Sequence, residues 1–188
     1  MASKYTAILQ AALDLVAEYG FRGTTMALVI RHSRVSAGTI YHHFASKDEM
    51  IQALYRQIKT GFYQALLQGE PQHQPWPRYL EQLWLNAFHY AIEHPRETSF
   101  LEQYDHAPDY PREDGAEHEL SAPLEPMMQR VRADLAAGVL LDLPFDVLYE
   151  LTLGVALALA RQQIAGRIVL NEMQQRDIAR ACCRAVSR

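Results

Sequence analysis

The amino-acid sequence predicts an all-α protein of about nine helices, for three reasons. Apolar residues recur at steps of three and four in successive segments, and residues able to cap a helix precede several of these segments. No segment of useful length alternates with the two-residue period of a strand. Hydrophobic residues make up 49% of the 188-residue chain and charged residues 21%, a balance that indicates a sizeable core and excludes a wholly disordered chain.

Three helices are predicted at the N-terminus. The first begins after Ser3 and carries an apolar face up to Gly20, which suits the left-handed position that closes a helix. Thr25 is a candidate N-cap for a short second helix, and Ser36 for a third that runs from Ala37 to about His43. The pattern therefore predicts two short helices joined by a tight turn.

A long fourth helix is predicted to start at a capping box over residues 46–49, in which the Ser46 hydroxyl accepts from the Glu49 amide and the Glu49 carboxylate reaches back. It is expected to end near Gly69, before a proline-containing loop. Further helices are predicted over residues 79–94, 96–104, 124–135, 144–166 and 171–186.

Two segments of the second half differ from ordinary helices. Residues 105–126 hold four prolines, seven acidic residues and one arginine, which predicts a mobile acidic loop. The helix at 144–166 has little polar surface along its middle, so it is predicted to be buried on several sides. Its apolar stretch, Leu151 to Ala160, is ten residues long and too short to span a bilayer, so no membrane anchor is expected.

Charge is distributed unevenly along the chain. Residues 1–60 contain seven Lys/Arg and four Asp/Glu, a net charge of +3, while residues 61–188 contain eleven and eighteen, a net charge of −7. The total is −4. A basic N-terminal module on an acidic body indicates that the first part of the chain faces a polyanion.

The predicted third helix has the composition of a helix that enters the DNA major groove. Small residues at its start, Ala37 and Gly38, would let its N-terminal end approach the bases closely. Thr39 could contact a base edge or a thymine methyl, and Tyr41 and His42 could donate to flanking phosphates. Lys47 lies in the first turn of the next helix, where the dipole disfavours a cation and a nearby phosphate would explain it. These residues predict a helix-turn-helix.

The residues from Ala11 to Met26 and from Val35 to Met50 resemble the DNA-binding domain of the tetracycline-repressor (TetR) family, and the resemblance spans about residues 5 to 55. It implies a homodimeric, ligand-responsive transcription factor, usually a repressor. The family's contacts carry over to Thr25, to the three residues that open the third helix, and to three phosphate-binding side chains. With two turn residues added, the predicted DNA-binding set is Thr25, Arg34, Ser36, Ala37, Gly38, Thr39, Tyr41, His42 and Lys47.

The turn departs from the family pattern. Ser33 and Arg34 stand where the pattern usually has a small residue and then glycine, and Ile30 replaces a usual alanine. A positive φ at Arg34 would cost about 1 kcal/mol. The departure therefore predicts either an altered turn or a compensating phosphate contact by Arg34.

The sequence predicts a DNA-binding domain over residues 1–46 and a ligand-binding and dimerisation domain over residues 47–188. The last two helices would pair with their twofold mates as a four-helix bundle, and the operator should be a near-palindrome. Aromatic and methionine side chains would line a pocket for a mostly apolar or flat effector, although such residues are more often simply core. The candidates are Phe62, Trp84, Phe88, Phe100, Tyr104, Met127 and Tyr149.

Rival functions find less support in the sequence. No nucleophile with its base, no phosphate-binding loop and no metal-ligand spacing is present, so no enzyme, cofactor or metal site is expected. His42 and His43 are adjacent on a helix and point about 100° apart, which does not suit a shared metal. A helical protein-interaction adaptor that does not bind DNA remains the alternative. The adjacent Cys182 and Cys183 are expected to be reduced, as in a cytoplasmic protein.

Overall fold

The computed structural model describes residues 3–107, 110 and 120–188. These residues form nine helical segments and no strand, which confirms the predicted all-α class and helix number. An isolated bridge joins Leu140 to Ser187. Most of the predicted acidic loop, residues 108, 109 and 111–119, lies outside the described residues.

The helices follow the predicted order, with the 145–164 run as one segment built from three parts. That run begins as α8, continues through one π-helical segment and ends as α9, with right-handed helical backbone angles at both junctions. Short 3₁₀ turns occur at Pro71–His73 and Ala122–Leu124. The α-helices are α1 Lys4–Gly23, α2 Met26–Ser33, α3 Ala37–His43, α4 Lys47–Leu66, α5 Arg78–Glu93, α6 Pro95–Asp105, α7 Glu125–Ala136, α8 Phe145–Tyr149, α9 Val155–Ile164 and α10 Glu172–Ala185; the π segment is Glu150–Gly154.

The chain divides into two compact units. The first contains Met1–Thr60 and Arg96–Ala116, and the second contains Gly61–Pro95 and Glu117–Arg188. The first unit therefore includes α6 and most of α4 as well as the three N-terminal helices. The functional boundary after residue 46 stays a prediction.

Regular helical structure in α1 is interrupted at Gly20, the residue that the sequence predicts to close the first helix. Gly20 has φ 69° and ψ 177°, a conformation that favours glycine, and helical structure resumes up to Gly23. The Oγ1 and backbone amide of buried Thr24 both donate to the Gly20 carbonyl, at 2.9 and 3.2 Å. These bonds secure the kink and bring the chain to α2.

Two kinds of apolar contact build the first unit. Ile8, Val16, Val29 and Ile40 are fully buried, so α2 and α3 both contribute to the same core as α1. An aromatic cluster joins the end of α1 to α4 and α6, with Tyr104 stacked on a neighbouring ring at a centroid distance of 4.2 Å. Its members are Phe21, Tyr55, Phe100, Tyr104 and Tyr110.

The core of the second unit lies between α5, the 145–164 run and α10. Trp84 and Phe88 of α5 are almost completely buried and stack at a centroid distance of 5.4 Å. Cys182 and Cys183 are free thiols in this core. Burial, together with the nearby charge of Glu81, raises the pKa of Cys183 to about 12.

This burial predicts that Cys183 resists alkylation in the folded protein. Because the ordinary thiol pKa is 9.0, a pKa of about 12 lowers the thiolate fraction at pH 8 by about 1000-fold. Iodoacetamide labelling followed by mass spectrometry should therefore modify Cys183 slowly at pH 8, and rapidly when the same sample is unfolded in urea. Equal labelling rates in the two conditions would contradict the buried position.

Candidate nucleic-acid interface

Hydroxyl side chains hold the start of α2 and the turn that joins α2 to α3. The Thr25 Oγ1 accepts from the Leu28 amide at 3.3 Å and caps α2, and the Ser33 Oγ accepts from the Val35 amide at 3.3 Å. Arg34 between them has φ 57° and ψ 22°, which is the left-handed region. The positive φ anticipated at Arg34 is therefore present, at a cost of about 1 kcal/mol.

Helix α3 has one buried side and one bare side. The Ser36 Oγ accepts from the Thr39 amide at 3.4 Å and caps the helix, as predicted. Ile40 is fully buried, and Phe44, which follows the helix, is 2% exposed. The opposite side of α3 carries Tyr41, which is 54% exposed.

Gly38 lies on this bare side. Neither contacts within the chain nor its backbone angles require a glycine at this position. A Cβ built at Gly38 meets no atom within 4 Å. Gly38 also has no positive φ that would require glycine. The space above it is open, which is the arrangement needed for close approach of an external molecule.

Most of the nine predicted DNA-binding residues are exposed to solvent. Thr39 and Lys47 are half-buried, and the other seven are exposed. All nine belong to the first unit. The exposed members are Thr25, Arg34, Ser36, Ala37, Gly38, Tyr41 and His42.

Lys47 has a partner inside the chain that the sequence did not indicate. Its Nζ donates to the Phe21 carbonyl, near the end of α1, at 3.0 Å. This bond accounts for a cation in the first turn of α4 without a phosphate, and it ties the start of α4 to α1. An ammonium has three N–H donors, so a phosphate contact by Lys47 stays a prediction alongside this bond.

The capping box at the start of α4 forms with a shift of one residue in one of its bonds. The Ser46 Oγ accepts from the Glu49 amide at 3.1 Å, as predicted. The Glu49 carboxylate accepts from the amide of Ala45 rather than from that of Ser46, at 2.7 Å. The two bonds fix the short link between α3 and α4.

The two adjacent histidines have different surroundings. Tyr5 of α1 packs on His43 and Phe44, with ring centroids 5.7 and 5.2 Å away, so His43 helps hold the end of α3. His42 is exposed on the same helix. Within residues 3–107, 110 and 120–188, no group of three His, Cys, Asp or Glu side chains could hold a metal ion.

One carboxylate connects three helices of the first unit and was missed by the sequence analysis. Asp14 of α1 accepts a hydrogen bond from Arg96 of α6, and its other oxygen lies 3.6 Å from the His32 Nε2 of α2. These partners are far apart in sequence, so helical periodicity carries no signal for them. The contacts position α2 on α1 and α6.

The predicted effector-binding residues are divided between the two units. Phe100 and Tyr104 belong to the aromatic cluster of the first unit. The remaining five lie in the second unit, where four are buried and Tyr149 is half-buried. Their role in ligand binding stays a prediction. The five are Phe62, Trp84, Phe88, Met127 and Tyr149.

Two protein-family models match this chain over different residues. Residues 8–54 match the family model described as bacterial regulatory proteins, tetR family. Residues 75–187 match that of the tetracyclin repressor-like C-terminal domain.

Some known proteins are similar to most of this chain, and others only to its N-terminal part. An uncharacterized HTH-type transcriptional regulator of Haemophilus influenzae is 28% identical over 159 residues, 81% of this chain and 79% of that protein. The HTH-type transcriptional regulator UidR of Escherichia coli K12 is 42% identical over 52 residues, 28% of this chain and 26% of UidR. The crystal structure of a TetR family transcription regulator from Marinobacter aquaeolei VT8 has a TM-score of 0.90 at 17% identity, covering 98% of this chain and 95% of that one.

No helix among the described residues is both long enough and apolar enough to cross a bilayer.

The open space above Gly38 predicts opposite effects of Gly38→Ala on stability and on DNA binding. The added methyl should raise the free energy of unfolding by up to about 1 kcal/mol, because alanine favours a helix over glycine. It should weaken specific DNA binding roughly tenfold, about the effect of losing one base contact. Thermal denaturation and fluorescence anisotropy with labelled operator DNA measure the two effects.

Gly61→Ala in α4 is the matched control, because a Cβ there meets only the Tyr90 hydroxyl at 3.8 Å. This control should be stabilised without loss of DNA affinity. Unchanged DNA affinity in Gly38→Ala would remove the start of α3 from the interface.

Proposed function

The chain belongs to the tetR family of bacterial regulatory proteins and is a DNA-binding transcriptional regulator, and from this premise we propose that it is a repressor released from its operator by a small molecule. The single observation that carries the proposal is the bare, Ser36-capped start of α3, with open space above Gly38. The +3 charge of residues 1–60 supports approach of this end to DNA phosphates.

In the proposed complex, α3 lies in the major groove. Ala37, Gly38 and Thr39 face the bases, while Tyr41, His42 and Lys47 reach phosphates. Arg34 is exposed and could repay its backbone strain with a phosphate contact. Thr25 and Ser36 cap α2 and α3 and lie at the ends that would meet the DNA backbone.

Members of this family act as dimers, and we propose that this chain pairs through the 145–164 run and α10. The run exposes apolar side chains in a single chain, including Phe145 and Ile164 at 46% and 45%. Pairing would cover them in a four-helix bundle. Two recognition helices about 34 to 36 Å apart, or a multiple of that spacing, would then read a near-palindromic operator.

We propose that the effector binds in the second unit and acts through α4. Lys47 begins α4 and is bonded to the end of α1, so a shift of α4 would move the DNA-binding helices. A coupling free energy of about 1 to 3 kcal/mol is sufficient for release. Aromatic and methionine candidates such as Trp84, Phe88 and Met127 favour a mostly apolar or flat effector.

The proposed role is non-catalytic, with no cofactor, and lies in the cytoplasm, where the chain has access to the chromosome. The alternative is an adaptor that binds another protein through the exposed apolar side chains of the 145–164 run and does not bind DNA. The bare start of α3 favours the regulator, because an adaptor has no need of a small-residue helix end.

A gel shift with DNA from upstream of the chain's own gene separates these functions. A regulator should form a discrete complex with this DNA. As the salt concentration is raised, this complex should dissociate at a higher salt concentration than the complex with unrelated DNA. Absence of any complex with this DNA at low salt would favour the adaptor.

Alanine at Tyr41 or Lys47 should weaken binding to all DNA sequences, and loss of the Lys47 charge should also flatten its salt dependence. Each phosphate neutralised by a cation contributes about one to the slope of log affinity against log salt, so a dimer that loses Lys47 from both chains should lose about two. Tyr41 is uncharged, so Tyr41→Ala should lower the affinity and leave the slope unchanged. Anisotropy titrations between about 50 and 200 mM salt measure the slope.

Arg56→Ala in α4, also an exposed side chain, is the control and should keep the slope of the unmodified protein. A slope unchanged in Lys47→Ala would remove Lys47 from the set of phosphate contacts, and an affinity unchanged in Tyr41→Ala would remove Tyr41.

A further inference from the structure

The charges of the 145–164 run are ordered along its length. Asp146 and Glu150 lie in its first third and Arg161 near its end, all three exposed. Between them, residues 151–160 contain no charged side chain. The run therefore has an acidic end, an uncharged middle and a basic end, with exposed apolar side chains at Val147 (41%) and Leu151 (38%).

From this order we infer that the run pairs with a second copy of itself in antiparallel orientation, with Glu150 of each chain against Arg161 of the partner subunit. In a twofold pair each chain presents the same surface, so an antiparallel arrangement sets the acidic end of one run beside the basic end of the other. A parallel arrangement would set acid beside acid and arginine beside arginine. The inference rests on the dimer of the proposed function and adds its orientation and its selectivity.

The position of Glu150 strengthens the assignment. Its carboxylate lies over Gly154, with Oε2 only 2.6 Å from where a Cβ of that glycine would be. The carboxylate thus lies along the run towards its uncharged middle. A second apolar helix packed there would remove water from it, and a carboxylate loses stability when desolvated unless a cation meets it.

The two charges lie on either side of the uncharged middle of the run. Glu150 and Arg161 are separated by about 16 Å along the helix axis, and their midpoint lies between Val155 and Ala156. A twofold axis at this midpoint brings each Glu150 opposite the partner's Arg161. The small side chain of Ala158, near the crossing point, permits close approach of the two helices there, while the Glu150 carboxylate occupies the space over Gly154.

Two symmetric charge pairs would also select the partner. A chain of similar shape without this order of charges would leave Glu150 or Arg161 desolvated or beside a like charge. The run then distinguishes its own copy from the helices of related regulators in the same cell, in the way that flanking charges select partners in coiled coils.

Charge reversal in the full-length chain tests this inference. E150K and R161E alone should each weaken dimerisation roughly 100-fold, about tenfold for each of two symmetric contacts. An equimolar mixture of E150K and R161E should form a heterodimer, because every position 150 again faces an opposite charge at position 161. The double variant E150K/R161E should regain the homodimer. Sedimentation equilibrium gives the dissociation constants, and native mass spectrometry identifies the heterodimer.

The matched control is E93K, the same reversal at an exposed residue at the end of α5, which should dimerise like the unmodified chain. A normal circular-dichroism spectrum in each single variant excludes misfolding, and recovery in the mixture excludes it independently. An unmodified chain that stays monomeric would overturn the proposed dimer and this inference with it. A normal dimer that is indifferent to both reversals, or single variants that do not recover on mixing, would overturn the pairing alone.

Discussion

The proposed DNA-binding surface depends on one constraint: α3 has only seven residues and must be helical with one side bare. An isolated helix of this length is unstable in water, because nucleation costs more than so few hydrogen bonds return. Its stability must come from the side that packs. Ile40 is fully buried, Phe44 nearly so, and Ser36 satisfies an amide at the open end. The contacts that hold α3 therefore leave its other side free.

Contacts with α1 and with the residues at the start of α4 hold α3 in position. Tyr5 of α1 packs on the end of α3, and the Glu49 carboxylate bonds the link that follows it. Lys47 joins the start of α4 to the end of α1. A change in the position of α4 would therefore alter the contacts at both ends of α3, as the proposed release by an effector requires.

Local features of this arrangement could be predicted from the sequence. The caps at Thr25, Ser36 and Ser46 act between residues three apart, so their pattern is visible in the chain. The left-handed Arg34 could be anticipated because the family pattern has glycine at that position. Helical periodicity likewise predicted the order and number of the helices.

Contacts between distant residues could not be predicted in this way. The bond from Lys47 to the Phe21 carbonyl spans 26 residues, and Asp14 meets Arg96 82 residues away. The aromatic residues assigned to one effector pocket divide between two units, because an aromatic side chain at helical spacing signals burial without identifying its neighbours. The π-helical segment could not be predicted either, since Glu150–Gly154 has the composition of an ordinary helix.

Methylation protection of guanines in the complex with upstream DNA tests the central claim most directly, because dimethyl sulfate attacks N7 in the major groove, where α3 is placed. The account predicts two protected segments on one face of the duplex, related by a dyad and separated by about 34 to 36 Å or a multiple of it. A complex in which no guanine N7 is protected, or in which protection forms a single segment without a dyad, would contradict it.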